Sequence, residues 1–335
     1  MKVLITGVGG FVGSHLVAFL RREHPEVEIF GLTRPHGSAG AGALRGTRLL
    51  EADLNDPASL ETVLDMVSPD RVVHLAGQSS VHMSWLDPGG TLRTNVLGLV
   101  HLVDAFRRRG LRPRVLVVGS AEEYGAVGPE ALPLREDAPL LPASPYAVSK
   151  AAQGLLAAEY ARGLGLPLVR TRTFHHTGPG RGEAFAESSF ARQIAEIDLG
   201  LRERVLLVGN LEAVRDYTDV RDVVRAYWAL LDRAPAAVAK GGVFNVCSGR
   251  GRRIRDLLDT LLVHAQGEVE IRVDKERLRP SDVPAQVGDP ARLKALTGWE
   301  PAIRLEDSLK DLLADWRARV NAATPKAEAS PEGPK

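Results

Sequence analysis

Lys2-Val3-Leu4-Ile5-Thr6 runs straight into Gly7-Val8-Gly9-Gly10-Phe11-Val12-Gly13, and that junction decides the fold. A short apolar run of this kind makes a buried parallel strand. Ser14 to Arg22 then reads as an amphipathic helix. Strand, glycine turn, helix is the context in which a dinucleotide cradle is built. Gly7 permits the tight turn, Gly10 lets the backbone approach a pyrophosphate, and Gly13 lets helix and strand pack closely. Phe11 and Val12 lie in the same turn as candidate cofactor contacts, and the N-terminus of the helix that follows offers N–H groups and positive dipole to phosphate.

Outward from this junction, strands and helices alternate. Val27 to Leu32, Arg48 to Leu54, Arg71 to Leu75, Arg114 to Gly119 and Pro167 to Thr173 read as strands. Ser59 to Val67, Asn95 to Arg108 and the segment opening at Pro145 read as helices between them. The alternation predicts an α/β fold with a doubly wound parallel sheet of the Rossmann kind, its ligands beyond the carboxyl ends of the strands. Further on, helices are expected at Ser188–Ile197, Val220–Leu231, Arg252–Ala265 and Leu305–Val320, with short strands at Val205–Val208 and Val243–Cys247. Residues 1–173 are expected to form the dinucleotide domain, which takes back a strand near 220–248. Residues 174–219 and 249–320 then form a smaller, mostly C-terminal α/β substrate-binding domain. The Gly- and Ala-rich residues 35–48 read as a mobile loop, and 321–335 as a disordered tail.

At 335 residues and a formal net charge of +1, the chain can bury a large core and gives no reason to expect nucleic acid or a membrane as partner. Arg107-Arg108-Arg109 suits a solvated helix end. The single cysteine, Cys247, lies in an apolar run and reads as a buried, inert thiol. The N-terminus enters a strand with no basic-then-apolar leader, and no apolar stretch is long enough to span a bilayer. A cytoplasmic protein is the expectation.

The second strand ends at Thr33-Arg34, without the carboxylate that commonly holds the ribose hydroxyls of NAD. A cation there suits a 2′-phosphate, so NADP(H) is expected before NAD(H). Asp53 and Leu54 follow the third strand, where Asp53 caps the next segment or faces adenine. Leu75-Ala76-Gly77 ends the fourth with small residues against which a cofactor can lie. Ser120, Glu122, Glu123 and Tyr124 stand at the carboxyl edge after the fifth strand. Ser120 suits a hydrogen bond to a substrate oxygen, and Glu122 an acid or base. Tyr146 and Lys150 are four apart on a helix opened by Ser144-Pro145, hence on one face. An ammonium beside a phenol favours phenolate, which makes Tyr146 a candidate acid/base. His175-His176 sits at another strand end. Adjacent residues diverge and no third ligand stands at helical spacing, so no metal is expected.

The glycine turn, Leu75-Ala76-Gly77, Ser120 and the Tyr146/Lys150 pair stand in the order and approximate spacing of the extended short-chain dehydrogenase/reductases. The chain resembles that family over roughly residues 1–320. Ser79-Ser80-Val81 with Ser84-Trp85, Thr171 through Gly180, Gly209 to Asp216 and Arg279-Pro280-Ser281 resemble its branch acting on GDP-6-deoxyhexoses. The resemblance implies NADPH-dependent reduction of the C4 ketone of GDP-4-keto-6-deoxy-D-mannose by a homodimer or homotetramer. The alternative it implies is 4,6-dehydration of GDP-mannose. Another sugar-nucleotide epimerase or reductase, and a non-catalytic dinucleotide-binding regulator, are further alternatives. Val12-Gly13, where the dehydratases usually have Asp-Gly, and Ser120, where they usually have Thr, favour the reductase. Glu122 stands where the dehydratases carry their acid/base glutamate. Ser80, His175, His176, Asn210, Arg215 and Arg279 fall at implied substrate positions, the two arginines at those that contact the diphosphate. His175 departs from the family, which usually has Asn there.

Overall fold

The computed structural model describes residues 1–35, 44–233, 240–278 and 283–324. Its strands are β1 (Lys2–Thr6), β2 (Glu28–Thr33), β3 (Arg48–Glu51), β4 (Arg71–His74), β5 (Arg114–Ser120), β6 (Leu168–Thr173) and β7 (His175–Thr177). Then follow β8 (Val205–Val208), β9 (Val214–Asp219), β10 (Lys240–Val246), β11 (Gly251–Arg253), β12 (Glu270–Val273) and β13 (Ala285–Gln286). The helices begin with α1 (Phe11–Glu23), α2 (Pro57–Val67), α3 (Val81–Leu86), α4 (Pro88–Leu92), α5 (Gly98–Arg108) and α6 (Pro145–Gly163). They end with α7 (Ala186–Asp198), α8 (Val220–Arg233), α9 (Ile254–Leu262), α10 (Ala291–Thr297) and α11 (Leu305–Ala323).

Seven strands form one sheet in the order β3-β2-β1-β4-β5-β6-β10. Every neighbouring pair in it is parallel. Side chains alternate across a strand, and the core divides accordingly. Val3 and Ile5 of β1 join the cluster made with Leu16, Val17 and Leu20 of α1 and Val223, Tyr227 and Leu231 of α8. Leu4 points the other way, into a cluster with Leu60 and Leu64 of α2, Leu102 and Phe106 of α5, and Ala157 of α6. A sheet covered on both faces is what the apolar runs demanded. The order reverses between β1 and β4, and a doubly wound sheet opens a crevice at that point.

The described residues cluster into two compact units: those within 1–176, 212–253 and 279–305, and those within 177–211, 254–278 and 306–335. The boundaries therefore differ from those expected, because 174–176, 212–219, 249–253 and 279–305 join the first unit. A buried carboxylate accounts for part of this. Asp216 on β9 accepts from Ser248 N at 2.8 Å, Ser248 Oγ at 2.6 Å, Gly249 N at 2.9 Å and Gly288 N at 3.2 Å. In the second unit β8 and β12 pair in parallel, and Gln193 of α7 clamps Leu207 through its carbonyl and its N–H.

Other departures have local causes. His175–Thr177 is a short strand paired with β9, not a turn, and β9 itself was not anticipated. Its residues Val214-Arg215-Asp216-Tyr217-Thr218-Asp219 are mostly polar yet nearly all buried, so no apolar alternation marks it. The helix expected from Asn95 is preceded by α3, α4 and a π turn over Arg93–Leu97. The loop expected over 35–48 falls largely outside the described residues. So does the tail, though α11 runs on to Ala323 and overruns its expected start at 321. No helix among the described residues is long and apolar enough to cross a membrane.

Candidate active site

Gly7 takes φ +69°, a left-handed conformation that favours glycine. A Cβ on it would stand 2.8 Å from Ala76 N, so β1 and the end of β4 crowd each other there. On Gly13 a Cβ would stand 2.4 Å from Val8 O, where α1 packs onto the turn. Gly10 differs: it is exposed, its φ is −79°, and a Cβ would come no nearer than 3.2 Å to Gly7 O. The protein's own packing constrains this position less than Gly7 and Gly13, and a ligand lying against the backbone would constrain it further. Gly10 is also the N-cap of α1 and supplies no side-chain cap, which leaves the helix start bare for an anion.

Arg34 follows β2 directly and is exposed. Asp53 is half-buried, and its carboxylate accepts from Asn55 N at 2.8 Å. It does not cap α2, because Asp56 holds that position and accepts from Ala58 N at 3.1 Å. Leu54 is buried against Gly98 of α5. Leu75-Ala76-Gly77 lies at the switch point, and a Cβ on Gly77 would reach within 3.7 Å of Lys150 Nζ.

Ser144 caps α6 by accepting from Ala147 N at 3.1 Å, and Pro145 occupies the first turn. Tyr146 and Lys150 are thus both on the opening turns of a helix that packs on β5, and both are buried. Lys150 Nζ donates to Val118 O at 2.9 Å and to Gln153 Oε1 at 3.0 Å. Burial draws its pKa down to about 8, opposed by the charge of Glu123. Two residues past Val118, Ser120 opens a 3-10 turn over Ala121–Tyr124. Its Oγ accepts from Glu122 N at 3.2 Å, and its N–H donates to Glu123 Oε1 at 2.9 Å.

The two carboxylates of that turn have different surroundings. Glu122 is half-buried, while Glu123 is 2% exposed and pairs with Arg172 at 3.0 Å. Burial pushes the Glu123 carboxyl up, and the guanidinium pulls against it. Arg172 also donates to Tyr124 Oη at 3.1 Å, and Tyr124 donates to Asn245 Oδ1 at 2.6 Å. His176 lies flat on Phe11, with ring centroids 6.0 Å apart and planes at 3°, which puts it over the start of α1. His175 turns instead onto Tyr217, 5.4 Å between centroids. Arg215 is buried on β9 and Ser80 is the N-cap of α3. Asn210 belongs to the second unit, and Arg279 lies outside the described residues. Cys247 is buried, and burial raises its thiol well above the ordinary value.

The family model described as GDP-mannose 4,6 dehydratase matches residues 4–312. The chain belongs to that family. A GDP-6-deoxy-D-mannose reductase of Pseudomonas aeruginosa is 38% identical over 319 residues, covering 95% of this chain and 98% of that one. The solved structure of RMD from Pseudomonas aeruginosa complexed with NADPH has a TM-score of 0.83, covering 95% of this chain and 99% of that one. A GDP-mannose 4,6-dehydratase of Yersinia enterocolitica is 29% identical, covering 93% of each chain.

Within this GDP-mannose dehydratase family fold, several residues at the site escaped sequence reading. His74 is fully buried beside Lys150, and its Nδ1 shares a hydrogen bond of 2.9 Å with Thr6 Oγ1. Burial and the Lys150 charge hold it neutral, with its pKa lowered to about 3. Arg172, Asn95 and Gln153 were missed, and Glu123 was placed at the strand edge without its burial, for the same reason: a polar residue in a mixed sequence gives no sign that it is inside. The adjacency of Glu122 and Glu123 was the one signal on offer.

Gly13→Ala is expected to cost about 1–3 kcal/mol through overpacking, read as a lower melting temperature. Gly10→Ala should keep the wild-type melting temperature yet weaken dinucleotide binding by roughly tenfold or more, about 1.4 kcal/mol. Arg34→Ala should narrow a preference for NADPH over NADH in the same titrations. Wild-type affinity in Gly10→Ala would show that the pyrophosphate lies elsewhere.

Proposed function

We propose that this protein reduces the C4 ketone of GDP-4-keto-6-deoxy-D-mannose, with NADPH as reductant, in the cytoplasm. The observation that carries the reading is its likeness, along nearly the whole chain, to a GDP-6-deoxy-D-mannose reductase. The bare start of α1, the crowded Gly7 and Gly13 and the exposed Arg34 suit NADPH, which supplies the hydride when bound. Gly7, Gly10, Phe11, Val12 and Gly13 would hold its pyrophosphate and Arg34 its 2′-phosphate, with Leu75-Ala76-Gly77 beneath it.

Reduction leaves negative charge on the C4 oxygen, and the chain's own part is to neutralise it. Tyr146 gives its phenolic proton to that oxygen. Lys150 steadies the phenolate left behind and offers N–H donors to the ribose. Ser120 Oγ already accepts from Glu122 N, so its hydroxyl hydrogen is what remains to orient the ketone. Arg215 and Arg279 are proposed to hold the diphosphate, with Ser80 and His175 on the sugar nucleotide. His176, stacked over Phe11, is better suited to the dinucleotide side.

A second reading, dehydration of GDP-mannose, is favoured by one residue. Elimination across C5 and C6 needs a further proton-transfer group, and half-buried Glu122 beside Ser120 is available for it. The test is incubation with GDP-mannose alone, and separately with its 4-keto-6-deoxy product plus NADPH. Ketone reduction is expected, with Glu122→Gln slowing it by less than about 2 kcal/mol. Release of the 4-keto-6-deoxy sugar from GDP-mannose, lost in Glu122→Gln, would install the dehydratase instead.

Tyr146→Phe keeps the ring and should bind NADPH normally while losing roughly 10²–10⁴ in turnover. Lys150 carries its charge below about 8 and loses it above. Wild-type turnover should therefore fall as pH rises through that value. A Tyr146→Phe enzyme with near-normal kcat would mean that another group is the acid.

The protein is further proposed to pair with a second copy of itself. Trp85, Leu86 and Leu92 on α3 and α4, and Val148 and Leu155 on one face of α6, are exposed, and these helices pack together. Light scattering on a size-exclusion column should give twice or four times the chain mass. A monomer at micromolar concentration would overturn the idea.

A further inference from the structure

Gln153 follows Lys150 by three residues on α6, so the two side chains are neighbours on the helix surface. It is completely buried, and its amide bridges two groups. Oε1 accepts from Lys150 Nζ at 3.0 Å, and Nε2 donates to Asn95 O at 2.8 Å. Asn95 lies in the π turn, a local widening that takes a carbonyl out of the α-helical ladder and lets a side chain reach it. Its own side chain is pinned: Nδ2 donates to Gln78 O at 3.0 Å and Ser149 Oγ at 2.8 Å, and Oδ1 accepts from Gln78 N at 2.8 Å. The amide of Gln153 has one tolerable orientation. Flipped, it would set its NH₂ against an ammonium and its oxygen against a carbonyl.

We propose that Gln153 is a positioning residue for Lys150, fixing where the ammonium sits and keeping it charged. The inference rests on the reading of Lys150 as part of the catalytic machinery. An ammonium has three N–H donors. With one on Val118 O and one on Gln153, the direction of the third is set. The other titratable groups around it are His74 from β4, held neutral, Glu123 from the turn after β5, and Tyr146 on α6 itself. Only Glu123 favours the charged form among these, and Arg172 already claims its carboxylate. Val118 O and Gln153 Oε1 are the ammonium's two uncharged acceptors, and Gln153 is the one supplied by a side chain.

The chain has eight lysines, so a carbon-13-labelled lysine spectrum of the full-length protein is sparse, and Lys150→Arg identifies the Lys150 signal. Titration of that signal reads the ammonium directly, without turnover. Gln153→Met removes the acceptor and should lower the Lys150 midpoint by about one pH unit. Gln153→Glu places a carboxylate there and should raise it. The alkaline limb of kcat for ketone reduction should move the same way in each variant. A midpoint unmoved in both variants overturns the inference, since a merely structural Gln153 alters melting temperature and leaves Lys150 alone. Midpoints that move while the kcat limb stays put support Gln153 and overturn the catalytic reading of Lys150. Should Gln153→Met fail to fold, Gln153→Glu decides alone: a raised midpoint supports the inference and any other result sinks it.

Discussion

A buried ammonium is the constraint on which this site depends. Taking the charge of Lys150 out of water costs several kcal/mol in a real protein unless acceptors replace the lost hydration. The acceptors come from separate parts of the chain. Val118 O belongs to strand β5, and Gln153 Oε1 to the same helix as Lys150. Glu123, from the turn beyond β5, adds attraction without a direct bond. Position and charge are therefore coupled: α6 must sit where the end of β5 can reach its second turn. The same demand explains His74. A second cation at that spot would repel the first, and complete burial keeps the imidazole neutral.

The fold was legible because its signals are local. The apolar run Lys2–Thr6, the glycines at 7, 10 and 13 and the alternation of apolar strands with helices name a doubly wound sheet without long-range information. Gly7 and Gly13 carry that signal most directly, since each is required by a contact that a Cβ would violate. Tyr146 and Lys150 were legible as a pair for the same reason, being joined by helical spacing. What makes the lysine's surroundings was not legible. Gln153 is three residues away but means nothing until Asn95, 58 positions earlier, arrives beneath it.

The second failure is of a different kind. No element was expected over residues 81–92, where Pro88, Gly89 and Gly90 give no helical signal, yet Asp87 caps a short helix there by accepting from Gly90 N at 2.8 Å. β9 was missed because burial of Arg215, Asp216 and Asp219 contradicts what their polarity suggests. The division between units was misplaced in consequence: Asp216 is satisfied by backbone groups near 248 and 288, and that wiring carries 212–219 back to the first unit. Burial of a polar strand is decided by partners far away in sequence.

Glu122 and Glu123 bring these points together. They are consecutive and, on paper, interchangeable. A 3-10 turn separates them because Ser120 accepts from one residue's N–H while donating its own N–H to the other's carboxylate. Glu123 is thereby drawn inside, where Arg172 pairs with it. A carboxylate held that way is committed: taking up a proton would neutralise it and leave a guanidinium unpaired in the interior, at a cost of about 3–5 kcal/mol for breaking a buried pair. Glu122 is half-buried and keeps contact with solvent, so it is the more accessible of the two. The ketone reduction proposed above does not need it, because there the phenol of Tyr146 is proposed to give the single proton that the alkoxide requires.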